Sequence, residues 1–379
     1  MVTKFVPLPA NSGGKLRSLA VLRRLAKVGD VVLCCFDDAT GDAAELRSQG
    51  VDVRTVPWRP DLRHVVKGIA KTRSGSAGRF WDRRLAAEVA RALREAPTDL
   101  LQVEYSQLAP YLTLGAARTR VLDYHNIESS LALSYARSSR TPRARLARLE
   151  SLLLRRLERR AAADADLVTV VSEQDRDRMP GMPRELLVCP NGWDPTTALP
   201  PASAPTAVFV ALLSWQPNVD AAVWLGREVW PLVRADMPEA RLVLVGREPA
   251  AAVRDLAASD IEVTGTVPDV RPYLASARVA LAPLRSGGGT RLKVLEALDA
   301  GRPLVSTSVG IDGLTDLVGQ GVVVADEPAE FAKQVTELLR DPARAEAEGA
   351  AGARAVRECY SWDHVLRPWL DRVVGVVPG

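Results

Sequence analysis

Cysteine and histidine are scarce in this chain of 379 residues, with four Cys and three His. Cys34, Cys35, Cys189 and Cys359 have no metal-ligand spacing, and an adjacent pair inside an apolar run reads as buried free thiol, so neither a zinc site nor a disulfide framework is expected. A reducing, cytoplasmic setting fits that usage. No run of 18 apolar residues occurs, and the opening MVTKFVPLPANSGG lacks the charged-then-apolar layout of a secretory signal, so a chain that neither spans a membrane nor is exported is expected. Nucleophile elbows of the G-x-S-x-G type, a Cys with a base partner and carboxylate pairs of defined spacing are all missing, which leaves covalent hydrolysis without support.

What is present is an ordinary globular composition, 47% hydrophobic and 25% charged, long enough for two cores. Strand-like and helix-like stretches alternate almost from the start, which argues for parallel sheets wrapped by helices. Pro195 to Pro205 is proline-rich and reads as a linker after the turn Pro190-Asn191-Gly192-Trp193-Asp194. The expected organisation is a first α/β domain over 1–190, a linker over 191–205, a second α/β domain over 206–360 and a terminal helix over 361–379 that packs back on the first. The segment from Trp58 to Gly78, basic and bearing glycine and serine, reads as a mobile excursion.

The most informative stretch is Pro283-Leu284-Arg285-Ser286-Gly287-Gly288-Gly289-Thr290-Arg291-Leu292-Lys293-Val294-Leu295-Glu296. It predicts a strand end, a triglycine turn and a helix from about Arg291 to Ala300, stopped by Gly301. A helix start carries partial positive charge and ordinarily attracts Asp or Glu, yet this one holds Arg291 and Lys293. Thr290 can cap it, but the residue three further on is Lys293, so the basic side chains do not serve the cap. Free N–H groups at Gly288, Gly289 and Thr290 with two cations suit a diphosphate, and Glu296, on the half-buried flank, suits ribose hydroxyls. The local alternative is a surface ion pair between Lys293 and Glu296, worth little in that order along a helix.

The first helix repeats the theme. Asn11-Ser12-Gly13-Gly14-Lys15-Leu16-Arg17 is a glycine turn between strand and helix, open to reading as a second anion site, to which Lys15 and Arg17 would add charge, or as only a turn. It is not a Walker A loop, since Leu16 stands where Ser or Thr would reach magnesium and Pro9 where the first glycine belongs. His125 follows a strand at its carboxyl end and is the best placed histidine for a sugar hydroxyl or a leaving phosphate. Asp164-Ala165-Asp166 and Asp175-Arg176-Asp177 fit a D-x-D pattern but read as solvated faces amid arginines, and no metal is assigned. From Arg137 to Arg160 nine arginines stand against Glu150 and Glu158, which reads either as a solvated helix face or as contact with an anionic membrane. Nucleic acid is disfavoured because no aromatics interleave with them.

The run PLRSGGGTRLKVLEALDAGRPLVSTSVGIDGL (283–314) resembles the donor segment of glycosyltransferase family 4, in its glycine-rich GGGTRLKxLE branch. LVCPNGWD (187–194), SWQPNVDAAVWLGREVWP (214–231), LVLVGRE (242–248) and HNIESS (125–130) are similar to further segments of that family, in the family's order. The family commonly carries two glutamates eight positions apart; this chain keeps the second as Glu296 and has Gly288 in place of the first. The resemblance implies a GT-B fold, two Rossmann-like doubly wound parallel-sheet domains facing a cleft. It further implies a metal-independent, retaining glycosyltransferase that moves a sugar from a nucleoside diphosphate sugar to an unknown acceptor: a lipid-linked glycan, a polysaccharide or a small molecule. In the family the glycines matching Gly13 and Gly14 approach the diphosphate, His125 gains a catalytic role beside Arg291 and Lys293, and Glu296 holds the ribose. The donor is a substrate, and no further cofactor is expected. A nucleotide-sugar epimerase on the same fold and a non-catalytic nucleotide- or sugar-binding protein are the alternatives.

Overall fold

The computed structural model describes residues 1–58, 62–138, 142–197, 199–200, 202–286 and 292–375. They form two compact units. The first comprises Met1–Asn191 with Val365–Gly379, and the second Gly192–His364.

The first unit is built on a seven-stranded sheet, every pair parallel, in the order β3-β2-β1-β4-β5-β6-β7. Its strands are β1 (Val2–Phe5), β2 (Val32–Asp37), β3 (Asp52–Pro57), β4 (Leu100–Glu104), β5 (Thr119–Tyr124), β6 (Leu167–Val170) and β7 (Leu186–Val188). Runs such as Leu-Val-Thr-Val in β6 are buried at every position, the signature of a sheet covered on both faces. Strand order reverses between β1 and β4, so the loops after these two strands diverge and leave room at the carboxyl edge of the sheet.

The second unit has six strands in the order β10-β9-β8-β11-β12-β13, again all parallel. They are β8 (Thr206–Val210), β9 (Arg241–Val245), β10 (Ile261–Val263), β11 (Val279–Ala282), β12 (Leu304–Ser306) and β13 (Val322–Val324), and the order reverses between β8 and β11. Its core centres on Trp224, Trp230, Phe209 and Phe331.

Two expectations change. Trp58 to Gly78 is not an open excursion: helices Leu62–Thr72 and Gly75–Gly78 occupy most of it. Gly68 and Gly78 are there for packing, because a Cβ on Gly68 would lie 1.9 Å from the Gly78 carbonyl oxygen and one on Gly78 2.6 Å from the Ile69 nitrogen. Residues 192–205, expected as a linker, group with the second unit. There Asp299 accepts hydrogen bonds from Trp193 Nε1 and from the Thr196 amide and hydroxyl, and Leu199 N–H donates to Ala300. Val365–Gly379 groups with the first unit, where Trp369 is buried and Arg372 pairs with Glu185. Among the described residues, no helix is long and apolar enough to cross a membrane.

The arginine-rich segment forms the helix Pro142–Asp164, which buries Leu154, Glu158, Ala161 and Ala162. Glu158 replaces a local cap for the helix Glu128–Ser138: its carboxyl accepts from Glu128 N–H (2.8 Å) and from the Ser106 hydroxyl (3.1 Å). Burial pushes its pKa up to about 7 from 4.5, against those hydrogen bonds. Between these two values the folded chain holds a proton that the unfolded chain has released, so stability falls as pH rises through the window, by roughly 3 kcal/mol. Glu158→Gln keeps an acceptor oxygen and removes the titration. Denaturant midpoints at pH 5 and pH 8 will therefore diverge less in the variant than in the wild type, and equal divergence would clear Glu158 of this role.

Candidate functional site

In the first unit the site grows from the carboxyl ends of β1, β4 and β5. β4 ends in Glu104-Tyr105 and β5 leads into Asp123-Tyr124-His125, and the parallel register sets Glu104 beside Asp123. His125 Nε2 lies 2.7 Å from Glu104 Oε2 and 3.6 Å from Asp123 Oδ2. Tyr105, held at φ +72°, lies against the imidazole with ring centroids 3.8 Å apart. The ammonium of Lys4, from β1, sits 4.1 Å from the centroid of the same tyrosine ring, and burial lowers its pKa although Glu128 works the other way.

The helix Gly13–Leu25 begins against this cluster. Gly14 is required there, because a Cβ would fall 2.3 Å from the Tyr105 hydroxyl. The cap residue Ser12 makes no side-chain bond to the helix and the first turn holds no acid, so the N-terminal amides carry no local counter-charge. Lys15 pairs with Asp38 at 3.8 Å. Arg17, read from sequence as a cation for ligand, instead points inward. Its Nε and Nη2 donate to Asp123 at 2.6 and 2.9 Å, and Nη1 to the carbonyl of Cys189 at 2.9 Å and to Asn191 Oδ1 at 3.2 Å. Burial would weaken its charge, but the Asp123 carboxylate outweighs that and raises its pKa; conversely Arg17 overcomes burial to lower that of Asp123.

Glu104, Asp123 and His125 offer ligand atoms within 4.8 Å of one another, a grouping not visible in the sequence. They do not suit a cation. Arg17 already spans both Asp123 oxygens, Thr169 donates to Oδ1, and Glu104 accepts from Gln102 (2.9 Å) and Ser18 as well as facing His125. Of the D-x-D pairs, Asp175 is buried rather than solvated, exchanging hydrogen bonds with Ser172 to cap the helix Glu173–Arg178.

In the second unit the chemistry again collects where strand order reverses. The helix Leu292–Asp299 follows β11, and Lys293 Nζ donates to Asn218 Oδ1 at 3.0 Å and lies 4.8 Å from the Phe209 ring. Asn218 is itself fixed, since its Nδ2 donates to the Leu212 carbonyl after β8. Arg285 makes a two-pronged pair with Asp220 at 2.8 and 3.1 Å. Glu296 is half-buried, and its pKa is pushed up to about 7 by burial and by Asp269, against Arg271. Gly288, Gly289, Thr290 and Arg291 lie outside the described residues. Sequence reasoning missed Glu104, Asp123, Tyr105 and Asn218. For the first three, the polar residues ending two hydrophobic strands were the available signal.

Two family models cover most of the chain: "Glycosyl transferase 4-like domain" matches residues 7–192 and "Glycosyl transferases group 1" matches residues 204–341. Sucrose-phosphate synthase from Thermosynechococcus elongatus superposes with a TM-score of 0.71 at 16% identity, over 100% of this chain and 99% of that one. Two parallel-sheet Rossmann-like units with this match define the GT-B fold, and the class is that of glycosyltransferases. The chain belongs to the group 1, GT4-like glycosyltransferase family. Among curated proteins it is 29% identical over 252 residues to alpha-maltose-1-phosphate synthase of Mycobacterium tuberculosis, covering 57% of this chain and 64% of that protein. It is 28% identical over 334 residues to the GDP-mannose-dependent alpha-(1-6)-phosphatidylinositol monomannoside mannosyltransferase of the same organism, covering 75% and 85%. The chain spans no more than 64% of the length of the first two curated relatives it matches.

Asp123→Ala leaves the Arg17 guanidinium buried without its carboxylate. The variant is expected to lose about 3–5 kcal/mol of stability by chemical denaturation. A loss below about 1 kcal/mol would mean that this pair is not what holds the edge of the first sheet.

Proposed function

We propose that this glycosyltransferase works with retention and without a metal, and that the diphosphate of its nucleoside diphosphate sugar is received at the start of the helix Leu292–Asp299. The observation that carries this is Lys293. It is a cation in the first turn of a helix with no acid there, at the strand-order reversal of the second sheet, aimed by Asn218. Arg291 is assigned to the same task from sequence alone, with the amides of Gly288, Gly289 and Thr290, in the manner of the glycine-rich branch of the family. As the glycosidic bond lengthens, negative charge builds on the departing diphosphate, and fixed cations and N–H donors stabilise it there more than in the ground state. Glu296 would hold the ribose hydroxyls.

On the first unit, Gly13 and Gly14 would present unshielded amides to the donor. His125 would meet the sugar. Nε2 is engaged with Glu104, which leaves Nδ1 for a sugar hydroxyl. No protein nucleophile is needed.

The acceptor side is read from the helix Pro142–Asp164. Leu146, Leu149 and Leu152, three residues apart on one face, are 67%, 55% and 57% exposed, among arginines that also face solvent. An apolar stripe edged by positive charge is complementary to anionic lipid headgroups, so peripheral binding to such a membrane, with a lipid-linked acceptor, is the reading favoured. The mycobacterial mannosyltransferase named above is described as acting on a phosphatidylinositol monomannoside, which agrees with it.

A thermal-shift panel of nucleoside diphosphates and their sugars will identify the donor. With that donor, Lys293→Ala is expected to cut turnover roughly ten- to a hundredfold while leaving the melting temperature of the free protein close to wild type. Unchanged turnover would remove Lys293 from the mechanism. Separately, the protein should sediment with vesicles containing phosphatidylglycerol but not with pure phosphatidylcholine, and Leu149→Glu with Leu152→Glu should abolish that binding. Sedimentation unaffected by the double change would refute the membrane surface.

A further inference from the structure

A second charged site lies in the second unit, at the edge of its sheet opposite the one that carries Lys293. Arg278 immediately precedes β11 and Arg302 lies just before β12, so both stand at the amino ends of their strands. They line a cavity of about 510 Å³ walled by the helix Pro342–Cys359 and by the chain near Leu199 and Ala202. Arg354 and Arg357 also line it, and the carboxylates Glu346 and Glu358 contribute from exposed positions.

The two inner arginines are unusual in their company. Arg302 is 3% exposed and Arg278 9%, yet among the described residues neither has a carboxylate within ion-pair distance. Their Nη groups donate to main-chain carbonyls, Arg278 to Leu339 and Ser203 and Arg302 to Pro200. These bonds tie the segment after Leu199 to the unit and cap the helix Pro328–Arg340 at its negative end, which accounts for part of their placement. They do not account for the rest. Both Nε–H groups are buried with no acceptor, and two guanidinium charges are taken from water without an opposite charge. Burial lowers the pKa of each, a direction that marks the charged form as under-compensated.

A ligand that offsets the uncompensated charge carries about two negative charges and acceptor oxygens for the arginines at the cavity surface; the two Nε–H groups, which expose no surface, lie beyond its reach. Guanidinium groups match phosphate oxygens in geometry as well as charge. The remaining wall is largely alanine, leucine and proline, and the volume falls in the range of small-molecule sites, so more than a bare ion is accommodated. We propose that this cavity binds a small organic phosphate monoester. The inference is independent of the donor site, whose cation sits at the other edge of the sheet.

The test is calorimetric titration of the full chain with glucose 6-phosphate and with inorganic phosphate. Both should bind in the millimolar range or below, the sugar phosphate more tightly. Because Arg302 and Arg278 also hold the fold, the variants are placed on the exposed face: Arg354→Glu reverses a charge at the cavity, and Ala350→Trp fills its mouth. Each should weaken glucose 6-phosphate at least about tenfold, the loss of one charge-assisted hydrogen bond or more, with an unchanged melting temperature. Lys293→Ala should leave the binding as it is. Absence of saturable binding by either probe overturns the proposal. So does binding that Lys293→Ala removes and Ala350→Trp spares, since it would belong to the donor site.

Discussion

The bidentate contact between Arg17 and Asp123 is the constraint on which the first unit turns. One guanidinium, 1% exposed, joins the helix after β1 to the end of β5 and to the main chain leaving β7. Thr169 from β6 completes the shell on Asp123. Two unit charges removed from water are tolerable only when nearly every donor and acceptor is spoken for, and here they are. The same carboxylate lies 3.6 Å from the His125 ring, so the placement of that ring and the integrity of the sheet edge depend on one pair.

Two carboxyl groups are tuned chiefly by burial, in contrast to the Arg17–Asp123 pair, where the partner's charge outweighs it. Glu158 and Glu296 both titrate near neutrality because the surroundings withhold water, yet they differ in use. Glu158 is enclosed by the start of another helix and serves the fold. Glu296 sits half-buried on the flank of the helix that carries Lys293, with Asp269 adding to the effect of burial. The second sheet separates its cations in a similar way. Lys293 stands at the carboxyl edge, where strand order reverses, and Arg278 and Arg302 stand at the amino edge, where α/β proteins do not ordinarily place ligands.

Much of the architecture was legible in the sequence, because long apolar strands alternating with helical periodicity admit few arrangements. Lys293 and Gly14 stand out in the sequence for a different reason: each breaks a local rule, a base where an acid belongs and a glycine where a helix begins. Partnerships were not legible. Glu104 meets His125 only because β4 lies beside β5, and Asn218 reaches Lys293 only because β8 lies beside β11, facts of strand order that no local pattern encodes. Arg17 was misread for the same reason, since a basic residue near a glycine turn resembles a ligand cation until its buried partner is known. The stretch from Trp58 to Gly78 was misread because glycine signals a flexible loop and close backbone packing equally well.

The chain leaves the first unit after Asn191 and returns to it at Val365, so the second unit is threaded into the first as one continuous insert. On a ribosome the segment Gly192–His364 has everything it needs once it has emerged. The earlier half does not, because Trp369 and the Arg372 partner of Glu185 are made only after that segment. The amino-terminal sheet is therefore the older piece of chain and the younger piece of finished structure, and a nascent protein cut short after residue 364 would carry a mature carboxyl-terminal unit on an unfinished amino-terminal one.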